Sequence, residues 1–466
     1  MAEPLPPAPE LPPSAPHSAL TRAAAAALAV AVVLFGSGML GQLLTPFVRR
    51  DDWPFLLPRG VPGVDDPLDK VREEGRWLSY GWWFVVGQHG TPVTAVVVLF
   101  AAYVLFVLGL WRLFGERGVV SGALLAAALL LSPLWVRLVY WPGSLSASAV
   151  VAAVAVWTLP PAARTRVRLV AWVLVATTLA VLTYPPVAGL LLIAAAVHLR
   201  HRPWREVLLL CGSFVAGFGL GVVVSFGLEQ VAFGHFGLAI AAWRHPHGLT
   251  SLHDLRVNGG RYLHQVVTLG ATLRWSAAVG AIASLVALTD ARVRPALLKV
   301  GTAVAVVAAL ECAQTLDTGV RTNVRGSGWA WLAVVVPAGL LLAGRPRSRR
   351  VGQVALGLLA LLGLVAWRGD LATHQATERA YTHIVTTATR AGQEVVFYQR
   401  PADRRTSRGG ITEGTLRAMF YEQAGVVVRW CRPDECRELA ALAGQGPVHD
   451  LGGVTGVIVP PPPRVL

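Results

Sequence analysis

Charge is scarce in this chain: Asp, Glu, Lys and Arg make up only 14% of its 466 residues, while hydrophobic residues make up 54%. That balance, with a mean hydropathy of +0.54, excludes an ordinary soluble globular domain and predicts an integral membrane protein. Cysteine is rarer still, at four positions, so a disulfide-framed secreted scaffold is excluded as well. Cys211 and Cys312 fall inside apolar stretches and read as small hydrophobes. Cys431 and Cys436 share a polar C-terminal segment. In an oxidising space they are close enough to form one small disulfide loop, and otherwise they are two free thiols. No nucleophile elbow, HExxH or P-loop is present, and no GxGxxG opens a helix, which removes support from hydrolase, ATP-driven pump and nucleotide-binding readings.

The charge that is present is mostly positive, a net +15. It does not point to nucleic acid, because Lys and Arg sit in short runs between apolar segments, where membrane topology explains them. Residues 1–21, rich in Pro, Ala and Ser, read as a disordered cytoplasmic tail. Apolar windows follow near 23–47, 91–110, 119–137, 147–160, 169–183, 186–198, 207–229, 271–289, 300–315, 328–343 and 351–367. Since a crossing needs roughly 20 apolar residues, they predict a mostly α polytopic domain over 22–367 with about eleven transmembrane helices. The first window is long enough to be an uncleaved helix rather than a secretory signal, and the short windows at 147–160 and 186–198 suit re-entrant or broken helices.

Orientation follows from the arginines. Alternate connections carry Arg112 and Arg117, Arg164 to Arg168, Arg200 to Arg205, Arg292 to Lys299, and Arg345 to Arg350, and the positive-inside bias makes these cytoplasmic. The chain then lies in a cytoplasmic membrane with its N-terminus inside. Segments 48–90, 230–270 and 314–327 and everything after Trp367 lie outside. From residue 368 to 466 the spans stop, and strand-like EVVFYQ, VVVRW and GVIVP alternate with helical patterns, which predicts a small extracytoplasmic parallel α/β domain that leans on the membrane part.

Segment 48–90 is unusually dense in charge and aromatic rings for a connection between two spans. It opens RRDDWP. A partly desolvated carboxylate at a membrane edge can act as a general base, and adjacent Asp51 and Asp52 repel one another while Arg49 and Arg50 pull the other way. The bland alternative is that RRDD marks the water interface and pairs its own charges. Further on, REEGRWLSYGWW patterns as an interfacial helix, with Trp77, Trp82 and Trp83 at the headgroup level of the membrane lipids and Arg72 and Arg76 able to hold a phosphate. Tryptophan faces such as Trp53 and Trp77 also suit stacking on sugar CH surfaces. Carboxylate, arginine and tryptophan at one edge describe a site for a lipid-linked sugar.

A first span ending in the acidic pair Asp51 and Asp52, followed by an outer loop with Gly75, Arg76, Trp77 and Leu78, resembles the polytopic GT-C glycosyltransferases, and most nearly their O-antigen glucosyltransferase type. YWPGSLSASAV at 140–150 and RTNVRGSGWAW at 321–331 are also similar to stretches of that family. The resemblance implies transfer of a sugar from a polyprenyl-phosphate donor to an envelope glycan or lipid acceptor, with inversion. Asp51 or Asp52 would deprotonate the acceptor hydroxyl, and Arg76, Arg321 and Arg325 would neutralise the departing phosphate. Asp52, nearer Trp53 and farther from the arginines, is the preferred base.

Two further groups stand out. Loop 242–265 holds Arg244, His245, His247 and Asp254; Arg244 and His247 suit phosphate or glycan binding, and His245, His247 and Asp254 could hold a divalent cation, although their spacing matches no tight zinc signature. Glu311, at membrane depth, reads either as a functional carboxylate or as a partner of Arg321. A secondary transporter or flippase of lipid-linked glycans is the rival from another class. It would place polar groups at the midplane, often in repeated halves, whereas here charge concentrates in outer loops. A glycan polymerase or ligase shares the same donor chemistry.

Overall fold

The computed structural model describes residues 38–115 and 118–461, together with residues 29, 33 and 36. The tail 1–21 lies outside the described residues, as does most of the first apolar window, of which 38–44 are helical. A 3-10 turn, Arg50–Phe55, leads to the amphipathic helix α1 (Pro67–Glu74) and the aromatic helix α2 (Trp77–Val85). Then follow α3 (Pro92–Phe114), α4 (Val119–Leu130), α5 (Pro142–Ala162), α6 (Arg166–Thr183), α7 (Pro186–His198), α8 (Trp204–Phe233), α9 (Leu252–Thr289), α10 (Arg294–Thr318), α11 (Trp329–Leu341) and α12 (Pro346–Thr389). Among the described residues eight helices are long and apolar enough to cross a membrane: α3, α5, α6, α8, α9, α10, α11 with the 3-10 turn before it, and α12. The chain is therefore a multi-pass helical membrane protein.

Two of the expected crossings are shorter than that. The window 119–137 yields a helix of 12 residues, because Pro133 disfavours helical backbone at Ser132. The Ser132 hydroxyl oxygen instead accepts from the Leu134 and Trp135 amides at 3.3 and 3.2 Å, turning the chain towards α5. α7, at 13 residues, is buried from Val187 to Val197, so it runs through the interior of the bundle between the Tyr184 end and the Arg200 end. Conversely the window 147–160, expected to be short, belongs to a full helix of 21 residues. Its first turns escaped the apolar count because Ser144, Ser146 and Ser148 are polar, yet all are buried. The Ser146 and Ser148 hydroxyls bond back to Pro142 and Leu145 carbonyls, which hides their polarity.

The connections separate by parity. At one end the Arg200 guanidinium donates to the Leu113 and Phe114 carbonyls at 2.8 and 2.7 Å, Lys299 Nζ donates to the Arg200 carbonyl, and Asp290 accepts from the Arg345 amide. A cavity of about 300 Å³ lined by Arg200, Arg349 and Phe114 opens at this arginine end. At the opposite end the Arg49 amide donates to Tyr140, Trp135 Nε1 to the Gly328 carbonyl, and the His247 amide to Thr318. The acidic turn is at this second end.

The stretch after Trp367, expected to begin a separate helix and domain, continues α12 without a break to Thr389, so the boundary at 367/368 falls inside one helix of 44 residues. Beyond it come β1 (Glu394–Tyr398), α13 (Ser407–Ala424), β2 (Arg429–Trp430), α14 (Pro433–Ala441), β3 (Val448–Asp450) and β4 (Val454–Ile458). The strand order is β2-β1-β4-β3. β1 runs parallel to β2 and β4 as anticipated, while β3 adds an antiparallel edge that the sequence pattern did not suggest. Cys431 and Cys436 form a disulfide between β2 and α14. Phe397, Met419 and Phe420 join the same hydrophobic core as Trp367 and Tyr381, so this unit is fused to the bundle by packing.

Candidate functional site

The first loop is steered out of its helix by Gln42. Its fully buried amide donates to the Phe47 and Val139 carbonyls and accepts from the Phe47 amide, which bends the chain into the turn. Pro54 sits inside that turn, and Asp52, Trp53 and Phe55 point inward. Asp52 is wholly buried: Oδ2 accepts from the Gly143 amide at 2.6 Å and Oδ1 from the Ser144 amide at 2.7 Å. Those are orphan donors at the start of α5, where partial positive charge collects. Burial pushes the Asp52 carboxyl up to about 7 even though the Ser144 and Gly143 hydrogen bonds pull it down. Only glycine fits at 143, since a methyl there would lie 2.8 Å from Phe55 Cβ.

Asp51 faces the other way, with its side chain 41% exposed. Oδ1 accepts from Trp141 Nε1 at 2.7 Å; Oδ2 lies 3.7 Å from Lys70 Nζ and 3.9 Å from Arg325 Nη2. The Arg325 guanidinium stacks over the Trp141 ring at 3.6 Å. Asp52, preferred from sequence as the base, commits both oxygens to helix amides, and Asp51 is the carboxylate that a ligand can reach.

A second carboxylate organises the cations. α1 starts at an Asp66 cap and ends at Gly75, whose left-handed φ of 69° lets the chain reverse against α8, where Ser225 donates to the Gly75 carbonyl. That reversal turns Glu74 inward, where it meets Arg76 Nε at 2.9 Å, Lys70 at 3.8 Å, and Arg244. Burial works to raise the Glu74 carboxyl, but Arg76, Lys70, Arg244 and Arg325 together hold it at about 2. Arg76 lies 4.7 Å over the Tyr184 ring, and Arg325 also bears on Tyr184. Sequence reasoning passed over Glu74, Lys70, Trp141 and Tyr184. The available signals were the place of Glu74 beside a capping glycine and the i,i+4 spacing of Lys70 from it; Trp141 and Tyr184 come from distant loops.

The other candidates divide. Arg76 and Arg325 enter this network, and Arg244 joins through Glu74. Arg72 and Trp77 turn to the far side of Gly75, against Phe233 at 5.5 and 6.1 Å. Arg321 is exposed, and among the described residues the ion pairs of Asp51 and Glu74 do not include it. Trp53 is 3% exposed and is a core residue, with no face open to a sugar. Among the described residues Glu311 forms no ion pair with Arg321 or another cation: it accepts from Gln265, Ser327 and Trp329, each at 2.6 Å, and ties α9, α10 and α11 together. His247 lies 2.8 Å from Asp254 Oδ1. The other Asp254 oxygen is taken by Thr250 and Ser251. His245 stands apart, and among the described residues no three metal-ligating side chains cluster.

The result is one connected patch at the end away from the arginine loops. Lys70, Arg76, Arg244 and Arg325 face Asp51 and Glu74, four cations to two carboxylates, with Trp141 and Tyr184 as aromatic plates. Surplus positive charge in a half-buried setting suits a phosphate, while the rings of Trp141 and Tyr184 are themselves buried and serve as plates for Arg325 and Arg76. No protein-family model, curated protein or solved structure matches this chain.

Proposed function

We propose that the chain is a membrane glycosyltransferase that moves a sugar from a polyprenyl-phosphate donor to an envelope glycan or lipid acceptor at the outer face of the cytoplasmic membrane. The observation that carries this reading is Asp51, an accessible carboxylate oriented by Trp141 and set among cations in surplus. In the reaction Asp51 takes the proton of the acceptor hydroxyl as its oxygen bonds to the anomeric carbon. The bond from that carbon to the phosphate oxygen breaks, and its electron pair leaves with the lipid phosphate. Arg325 and Lys70, beside Asp51, neutralise the departing charge, with Arg76 behind them. Attack opposite the leaving group inverts the anomeric centre. Asp52 positions the turn.

The polymerase or ligase variant uses the same steps with a larger transferred unit. The transporter reading loses support from Glu311, whose carboxylate is consumed by three neutral donors instead of lining a passage. The test is incorporation of labelled sugar from polyprenyl-phosphate hexose and pentose donors into membranes carrying wild type or Asp51→Asn. Asp51→Asn should lose at least about a hundredfold in rate, the usual scale for a missing general base. Incorporation at the wild-type rate overturns the assignment.

A further inference from the structure

Both arginines of RRDD leave the acidic turn and reach the chain beyond Trp367. Arg49 Nη2 lies 3.2 Å from His374 Nε2, on the extension of α12, and its guanidinium also sits 5.3 Å from the Trp141 ring. Arg50 donates through Nη1 to the Gly410 carbonyl at 2.8 Å. Its side chain runs along a bare face of α13. A methyl group built on Gly414 would sit 2.7 Å from Arg50 Cδ, and one on Gly410 would sit 3.1 Å from Arg50 Nη1. Positions 410 and 414 are one helical turn apart, so their missing side chains leave a single notch. Glycine weakens a helix interior, and here the space it leaves is filled by an arginine from another part of the chain.

A second contact holds the same two pieces together. Gly63, with φ at 77°, lies against α13, where a methyl group would come 2.8 Å from Arg417 Nε. Arg417 is itself fixed, by Glu413 Oε1 at 2.8 Å and the Val428 carbonyl at 2.7 Å. The loop is thus gripped by one helix on both sides of the acidic pair.

We propose that the C-terminal α/β unit is the positioning element of the acidic turn: Arg50, seated in the Gly410–Gly414 notch, fixes the backbone from which Asp51 projects. Arg50 is a positioning residue and touches no substrate. The catalytic consequence rests on the reading of Asp51 as the base, while the mechanical coupling stands without it.

The experiment uses the full-length protein in native membranes and in detergent. Gly414→Val fills the notch, Arg50→Ala empties it without a clash, and Arg50→Lys keeps a shorter donor. Hydrogen exchange over residues 47–57 should run severalfold faster in Gly414→Val and Arg50→Ala than in wild type, with the membrane helices unchanged. Sugar transfer in these two variants should show a lower kcat at constant donor KM, and Arg50→Lys should recover part of it. Exchange at the wild-type rate in both Gly414→Val and Arg50→Ala overturns the proposal. Full transfer by Asp51→Asn would sink the glycosyltransferase reading alone, because the exchange result decides the coupling independently.

Discussion

Asp52 Oδ1 accepts a hydrogen bond from the Ser144 amide at 2.7 Å, across 92 positions of sequence. α5 opens Pro-Gly-Ser and has no side-chain cap of its own. The carboxylate therefore does from outside what an N-cap residue does from within, pairing orphan amides and complementing the helix dipole. In doing so it fastens the 3-10 turn to α5 and leaves its neighbour Asp51 pointing outward. One acidic pair is thereby divided into a positioning residue and a reactive candidate.

Asp52→Ala should cost about 2 kcal/mol or more, since it removes a cap and leaves two buried amides unpaired. Asp51→Asn should leave stability within about 0.5 kcal/mol, as expected for a part-exposed group whose amide oxygen can still accept from Trp141 Nε1. Thermal unfolding in detergent, followed by intrinsic fluorescence, compares the two. Equal losses would show that both aspartates carry structural weight.

Asp52 and Glu74 should give opposite pH signatures. Asp52 is raised from 3.8 to about 7, chiefly by burial, so between those values the folded state keeps a proton that the unfolded chain has released. Stability then falls as pH rises through that window. Glu74 is held at about 2 against an ordinary 4.5 by its cations, despite burial, so its contribution is complete above 4.5 and is lost as pH falls towards 2. Between pH 4.5 and 7 the Glu74 contribution is already complete, and the difference between wild type and an Asp52 variant isolates the Asp52 share of the slope. Melting temperature should decline across that interval in wild type, and Asp52→Asn should flatten the decline. An unchanged slope in the variant would assign it to another group.

Much of this was legible in the sequence because it is local. Apolar windows located the helices, and the alternation of arginine-bearing loops sorted the connections into two ends that the structure keeps apart. The disulfide was legible as one of two alternatives, because Cys431 and Cys436 lie close together in a polar segment. What escaped depends on distant contacts. Nothing near Asp52 indicates that its partners are the amides of residues 143 and 144, so the preference for Asp52 over Asp51 rested on neighbouring charges alone. Trp53 looked available for stacking because aromatic residues at a membrane edge usually are, and its burial is decided by how the turn rotates. Ser144 and Ser146 fell outside the apolar window at 147–160, because only the folded helix shows that they are buried.

Glu74 is the keystone of the cation cluster, with its side chain 7% exposed. Glu74→Gln should destabilise the protein by about 3 kcal/mol or more, because it removes the buried charge that Arg76, Lys70 and Arg244 share. Removing a cation at the same time should relieve part of this. Glu74→Gln with Arg244→Gln is expected to be less damaging than the sum of the two single changes, a coupling readable in a double-mutant cycle of unfolding free energies. Strict additivity would mean that the two side chains do not share a charge balance.

Trp141 offers the sharpest test of how Asp51 is aimed. Its indole N–H donates to Asp51 Oδ1 while its ring carries the Arg325 guanidinium, so one side chain places both the candidate base and a candidate phosphate ligand. Trp141→Phe keeps an aromatic plate for Arg325 and deletes only the donor. A hydrogen bond to a charged group is worth about 1.5–3 kcal/mol, so kcat for sugar transfer should fall roughly ten- to hundredfold. Donor KM should hardly change, because the phosphate ligands are still in place. Single-turnover transfer with a polyprenyl-phosphate sugar separates the two quantities. A rise in KM at constant kcat would mean that Trp141 serves the donor through its ring and that Asp51 needs no help to find its orientation.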